Sequence, residues 1–315
     1  MNRQRIAKSV CSTARLSMIH ALLALALICV ASAASAEEKS LNKTFTVAPG
    51  GVLTVDADGA DITVTGSDTT TVVVRIEARG SQNEVDELKL AAEPSSDGIK
   101  VEALRPAQRG AFKWGSWRVE THIDVTVPRS YRVEAKTSGG DVRLDDVSGP
   151  SRLRTSGGNV VAQNVKGAFE GRTSGGDVRI ESMEGSVTAH TSGGNVLLSR
   201  IKGDVDADTS GGDVRLVRVD GKINAGTSGG SVRVELTGTN RGISATTSGG
   251  SVWLNLPKDT TGTLDAQSSG GHIDSDFPIS TTRWSKHRLS GQINGGGNEI
   301  YVRSSGGSIT LSAAK

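Results

Sequence analysis

Over most of the chain, apolar and polar residues alternate with period two in short runs. Val142/Leu144, Val178/Ile180, Val196/Leu198, Val214/Leu216 and Val232/Val234 each flank one intervening residue. A second set, Val187/Ala189, Val205/Ala207 and Ile223/Ala225, does the same. Such alternation marks strands with one buried face. Between the runs stand glycines. Ser-Gly-Gly preceded by Thr or Ser begins at Thr137, Thr155, Thr173, Thr191, Thr209, Thr227, Thr247, Ser268 and Ser304, at intervals of 18, 18, 18, 18, 18, 20, 21 and 36 residues. A second glycine recurs at Gly149, Gly167, Gly185, Gly203 and Gly221. Each 18-residue unit therefore holds two short strands and two glycine turns. The longest interval contains a degenerate Leu289–Ile293 stretch and reads as two turns.

One such unit cannot bury its apolar face alone, but a stack of units can. The expectation is an all-β fold: a parallel β-solenoid of about 18 residues per coil, with rungs about 4.8 Å apart. Right-handed coiling follows from the usual hand of parallel crossovers. The corner glycines are expected to serve turns with positive φ. Register leaves a trace in the polar positions. The residue after Gly-Gly runs Asp141, Asn159, Asp177, Asn195, Asp213, Ser231, Ser251. In an in-register stack these form one column. Adjacent carboxylates at that spacing repel by roughly 1 kcal/mol even in high dielectric, so Asn between them relieves the column. Two residues on, Arg143, Val161, Arg179, Leu197 and Arg215 alternate likewise. This structural account is preferred over calcium ligation for the aspartates.

Residues 37–136 depart from the repeat. Leu53/Val55, Ile62/Val64 and Val72/Val74/Ile76 are strand signals, and Asp58–Ile62 resembles a worn rung. Ser81 followed by Glu84 suggests a short helical turn. Leu88/Leu90 and Ile99/Val101 read as a hairpin around Pro94–Gly98. The region is expected to be a β-rich cap that covers the open sheet edge, continuous with a solenoid over 137–315.

Residues 1–36 read as a signal peptide. Arg3, Arg5, Lys8 and Arg15 precede an apolar run from Ala21 to Ala33, followed by Ala34-Ser35-Ala36. The run is short for a span of about 20 residues, and the Ala-x-Ala site favours cleavage after Ala36. An uncleaved anchor is the lesser alternative, and Ile28 before Cys29 is a poor lipoprotein signal. Cleavage changes the charge. The chain is +2 overall, and the segment holds four basic and no acidic residues, so the remainder is −2. Net charge then offers no case for nucleic acid. Cys11 and Cys29, the only cysteines, leave with the segment, which excludes disulfides and thiolate chemistry. Forty glycines and 3% aromatics fit a thin, small-residue core. Membrane contact after cleavage is at most peripheral.

The Thr-Ser-Gly-Gly-Asp-Val rungs, the export signal and the closing Gly295–Gly307 segment resemble the bacterial "putative adhesin" β-strand-repeat family. Phe45–Gly51 and Val125–Arg129 fit it too, so the resemblance runs from about Lys43 to the C-terminus. It implies a domain of unknown function with an adhesin label, and it carries over no catalytic residue.

Candidate sites break the repeat. Arg105–Arg118 joins cations to Phe112, Trp114 and Trp117, and Arg283–Arg288 holds Trp284 and Arg288. Aromatics beside cations suit glycan, polyanion or protein contacts. They equally suit loops folded over the flank as caps. Trp114, Trp117, Trp284 and Arg288 are the residues expected to contact a partner, if any do. Metal, cofactor and catalytic sites are not expected. His122, His190, His272 and His287 are scattered, with no metal-ligand spacing to one another or to a carboxylate. Asp145/Asp146 and Asp206/Asp208 are the nearest acid pairs and read as solvated faces. The Thr column, which could form an ice-binding ladder if exposed, reads instead as a corner hydroxyl ladder. The expected protein is an exported, periplasmic or outer-surface, non-enzymatic envelope module. Its partner is envelope polysaccharide or another envelope protein. The alternative is a polysaccharide-binding or polysaccharide-active solenoid. Protein recovered from the envelope is expected to begin at Glu37 by N-terminal sequencing; an intact Met1 or a diacylated Cys29 refutes this.

Overall fold

The computed structural model describes residues 37–106 and 118–314. The expected signal peptide, with Cys11 and Cys29, lies outside them, as do Trp114 and Trp117. The described residues form 27 strands and one short helix, Gln82–Glu87. The strands make two sheets, of 13 and 14 strands. Between Arg132 and Leu256 the chain alternates between the two, and like strands pair in parallel, one coil apart. This is the parallel β-solenoid that the repeat implies.

Inward columns form the core. One runs in register from Ile123 through Ile62, Val142, Val160, Val178, Val196, Val214, Val232 and Val252 to Ile309 and Ile273. From Ile123 to Ile309 its members are buried. Each such Val or Ile contributes roughly 1.5–3 kcal/mol by leaving water. A small-residue column holds Ala189, Ala207, Ala225 and Ala245. In the adjacent column, Ser151–Phe169–Val187–Val205, Phe169 is the large member, and it fits because its neighbours are small. Ser151 lies one rung below it, and a Cβ on Gly171 would press on its ring at 2.8 Å.

A third inward column was not legible in the alternation. Val147, Val165, Met183, Ile201 and Val219 are also buried, and from Val165 to Val219 they stack in register. They turn inward because the residue before each sits at positive φ: Asp146, Asn164, Ser182, Arg200 and Arg218, at +54° to +60°. This left-handed step resets the period-two phase.

The Ser-Gly-Gly corners differ from expectation. Their glycines are not at positive φ; among the repeat glycines Gly167, Gly185 and Gly203 are, at the opposite corner. The second glycine of each motif is required by close stacking instead. A Cβ on Gly158 would collide with the Gly140 carbonyl, and one on Gly176 with the Gly158 carbonyl. The preceding threonine uses the same carbonyls. Thr155 Oγ1 donates to Gly140 O at 2.8 Å, and Thr173 Oγ1 to Gly158 O at 2.7 Å. Each hydroxyl also accepts from the second glycine of its own corner, as in Gly158 N to Thr155 Oγ1 at 3.3 Å. From Thr137 to Thr247 these threonines are buried, so no exposed threonine ladder exists on this column.

The Asp/Asn column stacks as its alternation implies. Asn159 N donates to Asp141 Oδ1 at 2.7 Å, Asp177 N to Asn159 Oδ1 at 2.9 Å, and Asn195 N to Asp177 Oδ1 at 2.8 Å. Asn159 Nδ2 adds a bond to Asp141 Oδ1 at 3.1 Å. The second column alternates until Arg215 meets Arg233. There Arg233 stacks on the Trp253 ring, 4.7 Å from its centroid, which offsets the like-charge contact.

The ends of the stack are interleaved. The first rung in sequence, Val52–Ala57 with Asp61–Ser67, lies inside the stack. It pairs with Arg132–Thr137 and Val142–Asp145 on one side, and with Gly98–Leu104 and Glu120–Pro128 on the other. The last rung in sequence, Glu299–Ser304 with Ile309–Ala313, is likewise held between Ile243–Leu256 and Gly262–Ser275. Antiparallel strands close both ends. Thr71–Gly80 and Glu37–Thr46 add at the first, together with the expected hairpin of Lys89–Pro94 on Gly98–Leu104. Arg288–Ile293 and Ile279–Ser285 add at the second. The Leu289–Ile293 stretch is therefore a capping strand that runs against the stack, not a degenerate rung. Its period-two pattern does not reveal direction.

Two stability predictions follow from these columns. Val178→Asp should unfold the stack or cost several kcal/mol, about the price of an unpaired charge in an apolar site, read as loss of the cooperative thermal transition. Asp61 already stacks beside Asp141, so the double variant Asn159→Asp/Asn195→Asp lines up carboxylates on six consecutive rungs. Its Tm should fall below that of the parent near 0.01 M salt, and the gap should shrink toward 1 M, as the Debye length drops from roughly 30 to 3 Å. An unchanged Tm at low salt would refute the charge-spaced column.

Candidate functional site

Of the four residues expected to contact a partner, two lie in the described structure, on the same hairpin. Ile279–Ser285 pairs antiparallel with Arg288–Ile293, with Trp284 opposite Leu289 and Ser285 opposite Arg288. Ile279–Ser285 is the outermost strand of the 14-stranded sheet and has a single neighbour. From Ser280 to Ser285 every side chain is exposed. Trp284 is 77% exposed, against 40% for Val73, the other large hydrophobic left open among the described residues. Only Ile279, at its start, packs against the core. A Thr281/Arg283 register shift further distorts it.

Arg288 behaves differently from Trp284. Its guanidinium lies 3.3 Å from Asp265 Oδ1, and Arg303 binds Asp265 Oδ2 at 2.7 Å. Ser290 Oγ donates to the same carboxylate at 3.1 Å. Hydrogen bonding from Arg303 holds Asp265 below the usual carboxylate range despite partial burial. Arg288 thus fastens the hairpin to the stack, while Trp284 stands free of it. His287, at the turn, is tied down too: its Nδ1 lies 3.1 Å from Gly271 O.

The acid pairs separate into two cases. Asp146 is the left-handed kink residue of its rung, and its Oδ1 accepts from Asn164 Nδ2 at 3.3 Å. Burial raises the Asp145 carboxyl, helped by Asp146 and opposed by Arg143. This pair belongs to the rung geometry.

Asp206 and Asp208 lie close to His190, a grouping that spacing along the sequence does not show. They stand two residues apart on Val205–Thr209, so they share a face. The parallel neighbour Val187–Thr191 places His190 directly opposite Asp208. His190 Nδ1 is 3.7 Å from Asp208 Oδ2, and Nε2 is 3.9 Å from Asp206 Oδ2. Burial raises the Asp208 carboxyl, Asp206 adds to that, and His190 opposes it. Asn224, one rung on, donates to Asp206 Oδ1 at 2.7 Å. Opposite Asp208 on that rung is Gly226, where a Cβ would run into Asp208 Oδ1. The set was legible in principle, since His190 and Asp208 are one 18-residue coil apart. Spacing rules built for helices and loops do not look that far.

Trp253, stacked with Arg233, and Tyr301, whose ring centroid lies 4.2 Å from the Arg303 guanidinium, were also missed by sequence reasoning. Both sit within regular rungs, where a single aromatic does not interrupt the pattern.

Similarity to known proteins can now be placed beside this geometry. No curated protein matches the sequence at a significant level. Among solved structures, the chain is similar to a "putative adhesin" from Bacteroides fragilis, at 14% identity and a TM-score of 0.39, over 87% of this chain and 97% of that one. A "putative adhesin" from Parabacteroides distasonis gives 13% identity and a TM-score of 0.36, with coverage of 87% and 97%. A "putative cell adhesion protein" from Clostridium sporogenes gives 12% and 0.24, with coverage of 88% and 100%. Residues 52–312, from the first interleaved rung to the last, match the family described as Toastrack DUF4097, and the chain belongs to that family.

Proposed function

We propose that this protein is an exported, non-enzymatic, adhesin-like module of the cell envelope, periplasmic or outer-surface, that contacts its partner through the Ile279–Ile293 hairpin. The exposure of Trp284 on an edge strand carries the reading. Edge strands offer a free row of backbone donors and acceptors, and natural proteins normally blunt or cover them. Here the edge is long and bears an aromatic anchor beside Arg283, Lys286 and His287. Such an edge suits a partner that adds a strand, or a polysaccharide that stacks on the indole. Export rests on the N-terminal charge and apolar pattern. Among the described residues no helix is long and apolar enough to cross a membrane.

The partner is envelope polysaccharide or another envelope protein, and the same experiment separates them. Purified protein is applied to immobilised envelope polysaccharide and, in parallel, to detergent-solubilised envelope proteins. Trp284→Ala should weaken retention on the cognate fraction at least about tenfold, the effect of losing one modest anchor. A single-Trp variant retaining Trp284 should be quenched by acrylamide almost as freely as indole in water. Equal retention of parent and Trp284→Ala would remove the hairpin from the contact.

A further inference from the structure

We propose that His190, Asp206 and Asp208 form a binding site for a first-row divalent metal ion, of the zinc class, on the outer face of the 14-stranded sheet. Among the described residues they are the one group of three His or acidic side chains whose donor atoms all lie within 4.8 Å of one another. The inference goes beyond the proposed partner contact and does not rest on it; the two sites lie on different strands.

The argument begins with the donor set. One imidazole and two carboxylates make a mixed nitrogen and oxygen site. Imidazole suits zinc and its neighbours, whereas calcium and magnesium prefer oxygen alone. Ligand atoms on a tetrahedral zinc ion stand roughly 3.3–3.6 Å apart, given bonds of about 2.0–2.2 Å. With one ring nitrogen and two carboxylate oxygens within 4.8 Å of one another, the set is open by up to about 1.5 Å relative to a loaded site, within reach of side-chain adjustment, because all three residues are partly exposed.

The backbone under the ligands is the second part of the argument. All three stand on adjacent parallel strands whose register is set by the core on the other face, through Val187↔Val205 and Ala189↔Ala207. Such a site needs no ordering of a loop. Asn224 steadies Asp206 from the following rung. Gly226 follows Asp208 in its column, so no side chain from that rung covers the carboxylate. On the preceding rung Arg172 is the neighbour of His190, and its Nε is committed to Glu170 Oε1 at 2.6 Å. Glu170 also engages Arg152 and Arg154, so the cations nearest the site face a carboxylate of their own. What faces His190 is the Asp206/Asp208 pair, two like charges on one face that a cation would offset.

His122 shows what is particular to this set. It also lies near two carboxylates, 3.6 Å from Asp61 and 3.2 Å from Glu120. Those three donors do not converge within the same 4.8 Å, and each carboxylate meets a different ring nitrogen. Three protein ligands at His190 would leave coordination positions toward solvent, open to water or to a donor from a partner.

Zinc titrated into the purified protein, followed by calorimetry and by the His190 ring resonances in NMR, tests the site. One zinc ion per chain is expected, with the His190 signals shifting or broadening first. His190→Ala and Asp208→Asn should each weaken that event at least tenfold, while His272→Ala leaves it unchanged. Since these side chains lie on the outer face, both variants should keep the parental Tm without metal; Asp206→Asn is the substitute if either does not fold. Calcium at the same concentration should not displace the zinc. The proposal is overturned if the parent binds no zinc, if His190→Ala and Asp208→Asn bind it as the parent does, if the first signals to move belong to another histidine, or if calcium displaces it.

Discussion

The constraint on which the rest depends is the close approach of one rung to the next at the Ser-Gly-Gly corner. Backbone there packs on backbone, so a side chain on the second glycine has nowhere to go. The same approach brings the preceding Thr hydroxyl within 2.6–2.8 Å of a carbonyl on the neighbouring rung. Two buried polar groups are thereby satisfied on every coil, in a place where water cannot reach them. Register set at this corner is shared by the other columns until the pairing slips by one residue between Leu216 and Val219. The Val column, the Asp/Asn column and the kink column are all consequences of it.

In-register stacking has an electrostatic side. Any residue repeated at one position meets its own copies about 4.8 Å away. Uncharged Val gains from that meeting and Asp loses. The chain answers in three ways. It alternates Asp with Asn, it stacks Arg233 on Trp253, and it surrounds Glu170 with Arg152, Arg154 and Arg172. Burial pushes Glu170 up, but the three arginines override it and hold the group at about 2. The Asp206/Asp208 pair receives no such treatment from a permanent cation, only from His190, which is why that patch stands out from its surroundings.

Solenoids fray at their ends, because a terminal rung has only one neighbour. This chain avoids placing either sequence-terminal rung there. Val52–Ser67 and Glu299–Ala313 each have rungs on both sides, and antiparallel excursions take the exposed positions. Four strands remain as sheet edges, Glu37–Thr46, Lys89–Pro94, Ile273–Ser275 and Ile279–Ser285. A cap that buries the stack must itself end in a strand, and the last of these carries Trp284.

The sequence alone determined the architecture, because an 18-residue period of alternating apolar residues and paired glycines admits few folds besides a stacked solenoid. It also determined the register of the polar columns, since Asp141 to Asp213 alternate only if the coils align. Strand direction was beyond it. Leu289–Ile293 alternates just as a rung does, and only packing makes it an antiparallel cap. Chain order was equally silent on spatial order, so the interleaved ends came from tertiary pairing. The left-handed kinks of Asn164, Ser182 and Arg200 went unread because no residue type marks them in common. Of the candidate site, Trp284 was legible as an aromatic that breaks the repeat, but its exposure and the tethering of Arg288 to Asp265 were decided by the cap. His190, Asp206 and Asp208 were individually visible and collectively hidden. A parallel stack makes neighbours of residues one coil apart, and that proximity exists only once the coil has closed.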